Sequence, residues 1–439
     1  MQVKLTDFFN RDFVNYASYD NTRKIASYID GLKSGSRKVA YTVLEKNIKD
    51  PMKVSQLASK VAEFSEYLHG SLDGVIVTLG QDYCGTNNLP LLQKKGNFGT
   101  RFTPEASASR YIFASGSQAF FRLFNPEDND ILDHQTFEGT KIEPKFYTPA
   151  LPVVLINGSE GVSSGFAQKI LPREPQAVKD AVINYIKTGK TTPLVPWFKD
   201  FKGTVQPGDN PRQWLICGSI KRIAPTKVQI LELPVGYDLK GYIKVLDSLQ
   251  ENGIISDYKD LSDSEFNFVV TIPKARLDKL TTTQLLNDLK LIKKVTENFT
   301  CMSEDNSIVE FASAEDIIEN FTRVKREYVG KRKTWVVKCQ TEALNILEAK
   351  IRFLKLVIAG KLKLSKRALA EIEADLVKHN FTKVDGSWDY LLGMKIWNLT
   401  EAHLAKLEAQ FDKDQAALAA YSKMSIDAIW HKDITALKF

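Results

Sequence analysis

The clearest pattern in the chain is a series of apolar residues spaced alternately three and four apart in its last third. These residues are Leu344, Leu347, Ile351, Leu354 and Ile358. The spacing places them on one face of a helix, in a seam that packs along another helix. Ser313 followed by Asp316 is similar to a capping box at a helix start. We therefore predict one helix over residues 315–359, about 65 Å long at about 1.5 Å per residue.

The same spacing continues in two later helices. Leu369, Ile372 and Leu376 belong to the second, and the third contains Leu404, Leu407, Phe411 and Leu418. The third helix could return antiparallel to the first. Between them, the segment Trp388–Trp397 is too aromatic and too interrupted by glycine for a coiled coil. The pattern predicts an arm over residues 313–439, with a small globule at its far end.

Shorter apolar runs dominate the middle of the chain. Runs bounded by Gly, Pro or Ser predict strands at residues 214–220, 228–233 and 266–272. We therefore predict an α/β domain over residues 131–312. Residues 1–130 mix basic helical stretches with glycine-punctuated loops, so the chain as a whole is predicted to be a multidomain α+β protein.

Composition narrows the class of protein. The 439 residues are 43% hydrophobic and 26% charged, which allows a sizeable core and excludes a disordered or fibrous protein. The net charge is +7, and residues 31–60 alone carry seven basic and two acidic side chains. A polyanionic partner is therefore permitted. Four scattered cysteines without a Cys-x-x-Cys pair indicate neither a zinc ribbon nor a disulfide framework. The sequence has no signal-peptide or membrane-spanning pattern, so we expect a cytoplasmic protein.

The basic segment 30–38, Asp-Gly-Leu-Lys-Ser-Gly-Ser-Arg-Lys, is the first candidate for chemistry. Its glycines and serines predict a turn whose backbone N–H groups could meet phosphate oxygens, with a helix following from Lys38. A Walker A loop is excluded, because no Gly-Lys-Ser/Thr follows at the required spacing. Phosphate contact and a solvated surface turn are equally compatible with the segment.

A second candidate is Arg110-Tyr111, which follows several small residues. A phenol stays protonated up to pH about 10, so a nucleophilic tyrosine needs a neighbouring cation. The alternative is an ordinary surface tyrosine beside a surface arginine. His69, in the segment Tyr67-Leu-His-Gly, is a third candidate, although a lone histidine is more often structural.

The small-residue loop 157–165, Asn-Gly-Ser-Glu-Gly-Val-Ser-Ser-Gly, holds a single apolar side chain, Val162. It does not fit the dinucleotide-binding glycine pattern. Glycines on both sides of Val162 would let it project as a wedge between DNA base pairs. An ordinary tight β-turn is the alternative.

Two further clusters resemble functional sites, and we interpret both as solvated surface. The acidic residues at 127–130 are similar to a carboxylate metal site, but they follow a proline in a loop. Six basic residues between Arg323 and Lys333 would form a basic face of the long helix. The sequence therefore offers no metal site of its own.

Taken in order, these segments resemble the breakage-and-rejoining core of type IIA DNA topoisomerases. The resemblance covers nearly the whole chain, including the C-terminal YLLGMKIWNLT at 390–400. The other segments that carry it are DGLKSGSRK (30–38), KVSQLASKV (53–61), YLHG (67–70), GQDYCGTNNLPLL (80–92), GNFGTR (96–101), SRYIF (109–113), NGSEGVSSG (157–165) and LPVG (233–236).

The resemblance implies roles for individual residues. Tyr111 would be the nucleophile that attacks a DNA phosphodiester and stays attached to the 5′ phosphate. Arg110 and Arg37 would balance charge on the transition state, and His69 would position the scissile phosphate. The residues that would hold the DNA are Lys33, Lys38, Lys46, Lys53 and Arg101. Val162 would intercalate and bend the duplex.

The resemblance also implies an architecture and partners. It comprises a winged-helix cleavage domain (1–130), an α/β tower domain (131–312) and a coiled-coil arm ending in a dimerisation globule (313–439). Two copies would bind double-stranded DNA, joined by a larger subunit whose ATPase and Toprim modules bind ATP and Mg²⁺. Within the family, the sequence looks like the T-even phage branch, which would place the protein in the cytoplasm of an infected bacterium and have it relax or decatenate DNA.

Three departures from the family pattern bear on these roles. Ser34 stands where proline is usual, Leu68 replaces a histidine, and Val162 is shorter than the usual isoleucine, which would weaken the wedge. Two other functions remain open. A non-catalytic protein that bends DNA would need the basic surface without the Tyr-Arg chemistry. A tyrosine recombinase would use its tyrosine near the C-terminus and link it to the 3′ phosphate.

Overall fold

The structure is a computed structural model that describes residues 4–67, 70–365, 367–398 and 400–439. It is a mixed α/β protein that divides into two compact units. The first unit comprises the chain up to Tyr328 together with Trp430–Phe439, and the second comprises Val329–Ile429. The predicted division into three domains remains a prediction, because the contacts within the chain separate only these two units.

The N-terminal part of the first unit consists of helices around a small antiparallel sheet. The sheet has Phe113–Gly116 as its central strand, between Met52–Lys53 and Leu92–Lys95. Its helices are Leu5–Asp7, a π-helix at Phe8–Phe13, Val14–Lys24, Ser34–Glu45, Val54–Phe64, Asp73–Gly80, Gln118–Leu123 and a 3₁₀ helix at Pro126–Ile131. In Val54–Phe64 the apolar positions recur every three or four residues, so one face is buried and the other is left for solvent.

Two hairpins and two helices follow. The first hairpin pairs His134–Phe137 with Thr140–Pro144, and the second pairs Ser159–Val162 with Ala167–Ile170. The helix Val153–Asn157 precedes the second hairpin, and Pro175–Thr188 follows it. The short helix is buried at four consecutive apolar residues, Val153 to Ile156, so it fixes the start of the second hairpin inside the unit.

Residues 204–311 form three antiparallel sheets. The four-stranded sheet has the order Ser219–Ala224, Lys227–Glu232, Phe268–Thr271 and Asp257–Asp260, and the three-stranded sheet has the order Ile292–Thr296, Gln213–Cys217 and Thr204–Pro207. The third pairs Phe299–Met302 with Ile308–Phe311. The helices of this region are Leu239–Glu251, Lys274–Leu277 and Thr282–Asp288. Leu239–Glu251 buries Tyr242 and Leu246 against the four-stranded sheet.

The three predicted strands are present, with one difference. The segment 214–220 is two strands in two different sheets, separated by Gly218. At Gly218 a Cβ atom would stand 2.3 Å from the carbonyl oxygen of Glu232, so the backbones approach too closely there for any other residue. A continuous apolar run cannot reveal that the chain changes sheets.

The long helix begins in the first unit, continues into the second and confirms the predicted period. It runs over Ala314–Ile358, and the seam residues Leu344, Ile351 and Leu354 are buried. Leu369–Lys378, Asp389–Leu392, a 3₁₀ helix at Ile396–Asn398 and Glu401–Lys423 follow, and Ile426–Ala436 leads back to the first unit. A core around Phe353, Leu376 and Trp388 includes part of the segment for which the sequence predicts a globule, and Lys355 pairs with Glu408 on the third helix.

Two clusters that were predicted to be solvated are partly buried. Asp128, in the acidic turn, is buried and accepts hydrogen bonds from Thr148 Oγ1 (3.2 Å) and Lys325 Nζ (3.1 Å). Lys325 and Arg332, in the basic cluster, are also buried. The prediction was wrong for these residues because their side chains lie in the protein interior, and for Lys325 the partners Asp128 and Thr148 are more than 170 positions away along the chain.

A single buried carboxylate, that of Asp30, joins the loop, the helix and the segment that surround the basic turn. It accepts hydrogen bonds from the guanidinium of Arg37 (2.7 and 3.1 Å), from Leu32 N (2.9 Å) and from Tyr147 N (3.0 Å). Next to it, Gly31 has φ +69°, and a Cβ there would stand 2.5 Å from Val154 N. The turn is therefore fixed on both sides by the rest of the unit.

We expect Asp30→Asn to destabilise the first unit strongly. The amide keeps the shape but removes the charge that compensates the buried guanidinium, and breaking such a pair costs about 3–5 kcal/mol. Urea unfolding monitored by circular dichroism measures the loss. Asp278→Asn is the matched control, because Asp278 pairs with Arg222 on the surface, where the loss of an ion pair has little effect. Equal stability of the two variants would contradict the assignment.

The globule of the second unit allows a comparison of two tryptophans. Trp388 is 6% exposed and donates a hydrogen bond from Nε1 to the carbonyl of Phe381, whereas Trp397 is 71% exposed. We expect Trp388→Ala to lower the free energy of unfolding of this unit by about 3–5 kcal/mol. Trp397→Ala should change it by no more than about 0.5 kcal/mol. Hydrogen exchange of the segment 353–391 checks both values, and similar protection in the two variants would be inconsistent with this core.

Candidate active site and nucleic-acid interface

Tyr111 lies at the entrance to the central strand of the N-terminal sheet. Its backbone N–H closes a turn onto the carbonyl of Ala108 (2.9 Å), and the next residue, Ile112, is buried. The carbonyl of Ile112 accepts a hydrogen bond from Val54 N (2.9 Å), the first residue of a helix. The side chain of Tyr111 is 67% exposed. The start of a strand and the start of a helix therefore position a phenol that solvent and a large ligand can reach.

Arg110 provides a cation directly beside this phenol. Its guanidinium carbon lies 4.9 Å from the centroid of the Tyr111 ring, and Arg110 itself is exposed. A planar guanidinium in this position can stack on the ring and donate hydrogen bonds to phosphate oxygens. The dipeptide thus combines a potential nucleophile with a group that stabilises negative charge.

Lys53 is the second cation near Tyr111. It stands opposite Phe113 in the antiparallel sheet, two residues beyond the tyrosine, and it is exposed. Lys46 is exposed as well, and its ammonium lies 4.0 Å from the centroid of the Phe64 ring. Both residues therefore have the exposure that binding to a DNA backbone requires.

Arg37 differs from the expectation of direct contact with phosphate. It is 7% exposed, and its guanidinium also donates to the carbonyl of Leu32 (3.1 Å) besides holding Asp30. Burial alone would lower the pKa of Arg37, but the charge and hydrogen bonds of Asp30, with a smaller effect of Glu143, leave this pKa above its ordinary value. The residue stays charged and fixed inside the unit.

Three of the predicted DNA-binding cations are held by other groups of the protein. Lys38 donates to Ser65 O (2.7 Å) and pairs with the buried Glu143 (2.9 Å). Arg101 pairs with Glu232 (2.7 Å) and donates to the carbonyl of Leu233 (2.6 Å). Lys33 donates to the carbonyl of Glu160 (2.6 Å). Lys38 and Arg101 are consequently anchors between segments rather than open contacts for a ligand.

The basic turn is also shorter than predicted. The helix begins at Ser34 rather than after Lys38, with the extended residue Lys33 before it. Ser34, Gly35 and Ser36 thus form the first helical turn, so the glycine-serine composition does not mark a loop there. His69, the remaining predicted site residue, lies outside the described residues, as does Leu68.

Val162 stands at the end of its strand, 73% exposed, in the hairpin whose tip is residues 163–166. The neighbouring Gly161 is required because its Cβ would stand 2.0 Å from the carbonyl of Lys24. Ser164 N and Oγ both donate to Asp20 (2.9 and 3.0 Å). The hairpin is therefore held at its tip and along its length by the chain that precedes the basic turn.

Sequence reasoning missed several residues of this site. Phe166, on the returning side of the hairpin tip, is a second exposed apolar side chain, and an aromatic residue directly after the small-residue loop could have indicated it. Asp30 belongs to the basic segment, but it precedes the helix that contains Arg37. A separation of seven residues therefore did not indicate that the two side chains pair. Asp20 gave no local signal, because its partner Ser164 is 144 residues away.

The described residues offer this site neither a group of metal ligands nor a membrane-spanning helix, and their cysteines take no part in it. Within the described residues, no group of three or more His, Cys, Asp or Glu side chains could hold a metal ion. No helix in the described part of the chain has both the length and the apolarity to cross a membrane. The four cysteines are free, and burial raises the pKa of the Cys84 thiol to about 11.

Comparison with known proteins identifies the family. The family model for the A subunits of DNA gyrase and topoisomerase IV matches residues 23–435. The mitochondrial DNA topoisomerase 2 of Dictyostelium discoideum is 30% identical over 100% of this chain and 35% of its own length. DNA topoisomerase 2-alpha of Gallus gallus is 31% identical over 98% of this chain and 30% of its own length.

A solved structure agrees with these relatives. The DNA-binding, cleavage and re-ligation domain of Plasmodium falciparum topoisomerase II matches with a TM-score of 0.91 and 28% identity, over 98% of this chain and 63% of that one. The chain spans about a third of the length of the curated relatives it matches. It belongs to the family of DNA gyrase and topoisomerase IV A subunits, and it corresponds to the breakage-and-rejoining region of type IIA topoisomerases.

Proposed function

We propose that this protein cleaves and rejoins double-stranded DNA through Tyr111, as part of a type IIA DNA topoisomerase. The proposal rests on one observation above the others: an exposed phenol at a rigid strand entrance, stacked beside an exposed arginine. The similarity to the Plasmodium domain, which is one of DNA binding, cleavage and re-ligation, supports the same activity.

The proposed reaction is a transesterification. The phenolic oxygen of Tyr111 forms a bond to phosphorus while the bond from phosphorus to the 3′ oxygen breaks. The phenolic proton leaves to solvent, and the 3′ oxygen gains a proton. The product is a 5′-phosphotyrosyl link that preserves the phosphoester, so the 3′ hydroxyl can attack it and reseal the strand without another energy source.

Arg110 is proposed to stabilise the negative charge that develops on the phosphoryl oxygens. Arg37 takes a different part from the one first expected, because it is buried with Asp30: we assign it to positioning the basic turn. His69 remains a proposed phosphate-positioning residue on the strength of the family motif alone.

The DNA would cross the surface that carries Lys53, Lys46 and Lys33, mainly through its phosphates. Such binding is sensitive to salt and only weakly selective for sequence. Val162 is proposed to enter between base pairs and bend the duplex, with Phe166 beside it at the tip. Lys38 and Arg101 support this surface from within, through their ion pairs with Glu143 and Glu232.

Membership of the family supports a proposal for the partners. We propose a homodimer, with a larger subunit whose ATPase and Toprim modules bind ATP and Mg²⁺, and relaxation or decatenation of DNA as the outcome. Winged-helix, tower and coiled-coil domains, an origin in a T-even-type phage and a location in the host cytoplasm belong to the same proposal.

Tyr111→Phe tests the nucleophile. We expect covalent attachment to DNA to fall by more than about 10⁴-fold, because the phenyl ring cannot form the phosphoester bond, while DNA binding stays nearly unchanged. The chain is mixed with its partner subunit, Mg²⁺ and supercoiled plasmid, and denatured samples are examined for linear DNA carrying protein on its 5′ ends. Normal cleavage by the variant would overturn the assignment.

Tyr16→Phe is the matched control, because Tyr16 is another well-exposed phenol, at 59%, on the N-terminal helix. It should cleave like the unaltered protein. The same experiment tests the alternatives. Bending of DNA without any adduct from the unaltered protein would favour the architectural protein, and an adduct on the 3′ end would indicate the chemistry of a tyrosine recombinase.

A further inference from the structure

Three lysines meet around Glu160 in a cleft of about 540 Å³ beside the hairpin that carries Val162. The cleft is lined by Lys33, Lys169, Lys293 and Glu160 among other residues. Lys169 lies opposite Glu160 across the hairpin and pairs with its carboxylate. Lys33 donates to the backbone carbonyl of the same residue (2.6 Å). One carboxylate therefore stands among three ammonium groups, which leaves the cluster with an excess of two positive charges.

The ammonium group of Lys293 lies against the backbone of Val235 and Gly236. Its ammonium donates to the carbonyl of Val235 (3.1 Å). The next residue, Gly236, has φ +105°, and a Cβ there would stand 2.6 Å from Lys293 Nζ. The glycine that ends the LPVG segment thus leaves room for the ammonium. Burial and the neighbouring Lys169 lower the pKa of Lys293, so the cluster is a place where added negative charge is favourable.

Another anion could readily replace the Glu160 carboxylate in its ion pair with Lys169. The Glu160 side chain is 67% exposed, and an exposed ion pair contributes little to stability. Each ammonium has three donors, so Lys33 and Lys293 can bind an anion while keeping their backbone acceptors. A phosphate oxygen that arrives at this cleft would meet the same cations that Glu160 meets now.

We propose that the cleft binds a backbone phosphate of the DNA next to the hairpin, and that the Glu160 carboxylate occupies the phosphate position until DNA displaces it. This inference rests on the proposed function, because it takes duplex DNA as the ligand. It assigns Lys169 and Lys293 to the DNA interface, and it makes Glu160 a built-in competitor that weakens binding and its salt dependence.

The first test compares two adjacent lysines. Lys293 and Lys294 are neighbours on one strand, so their side chains point to opposite faces, and Lys294 pairs instead with Asp209 (3.2 Å). Binding of a 30-base-pair duplex is measured by fluorescence anisotropy over a range of salt concentrations. We expect Lys293→Gln to reduce the slope of log affinity against log salt by about 1, and Lys294→Gln to leave it unchanged.

The second test removes the competitor. We expect Glu160→Gln to tighten duplex binding by up to about five-fold, because the lysines no longer have to release a carboxylate. Glu265→Gln is the control, since Glu265 forms a similar exposed pair with Lys202 outside this cleft. Equal slopes for the variants at 293 and 294, or equal affinities for those at 160 and 265, would overturn the inference.

The two proposals fail in different ways. If only the inference is wrong, the unaltered protein still binds duplex DNA and forms its Tyr111 adduct. In that case the variants at 293 and 294 have the same salt dependence, and those at 160 and 265 have the same affinity. Absence of duplex binding by the unaltered protein would remove the proposed function and this site with it.

Discussion

The buried carboxylate of Asp30 is the constraint on which the candidate site depends. Because it accepts hydrogen bonds from Arg37, Leu32 N and Tyr147 N, it fixes the start of the helix Ser34–Glu45 relative to the segment before the hairpin helix Val153–Asn157. A carboxylate and a guanidinium in the interior are favourable only when their hydrogen-bonding positions are well used, and here Asp30 accepts four hydrogen bonds while Arg37 donates three. The segments that carry the surface cations are therefore joined to one another through Asp30.

The positive side chains of the site fall into two groups with different physical roles. Arg37, Lys38 and Arg101 each face a carboxylate with little exposure, so their charge is largely compensated and their contribution is structural. Lys46 and Lys53 are exposed, so their charges are free to exchange counterions for a polyanion such as DNA. In the proposed interface, the first group would define the shape and the second would give the affinity its dependence on salt. Its net charge alone would not distinguish the two.

The local sequence pattern was enough to predict part of this structure, but it could not predict the rest. The apolar seam from Leu344 to Ile358 predicted the long helix because its period is a property of one segment. The order of the motifs led to Tyr111, which the structure exposes beside Arg110. The roles of Lys38, Arg101 and Lys325 depend on Glu143, Glu232 and Asp128, each more than 100 positions away. Tertiary packing selects such pairs, and no periodicity within one segment records them.

The proposed wedge role of Val162 requires that its hairpin be held firmly by the rest of the first unit. Separating two base pairs costs a few kcal/mol, and a loop that yields under that load would move instead of the DNA. Here Asp20 holds the tip, Lys24 contacts the backbone at Gly161, and Gln168 exchanges hydrogen bonds with both backbone groups of Ala26 (3.0 and 3.2 Å). The hairpin is thus held at three points, so that in its proposed role Val162, although one methylene shorter than isoleucine, would not move away from the DNA, and Phe166 adds apolar surface at the same tip.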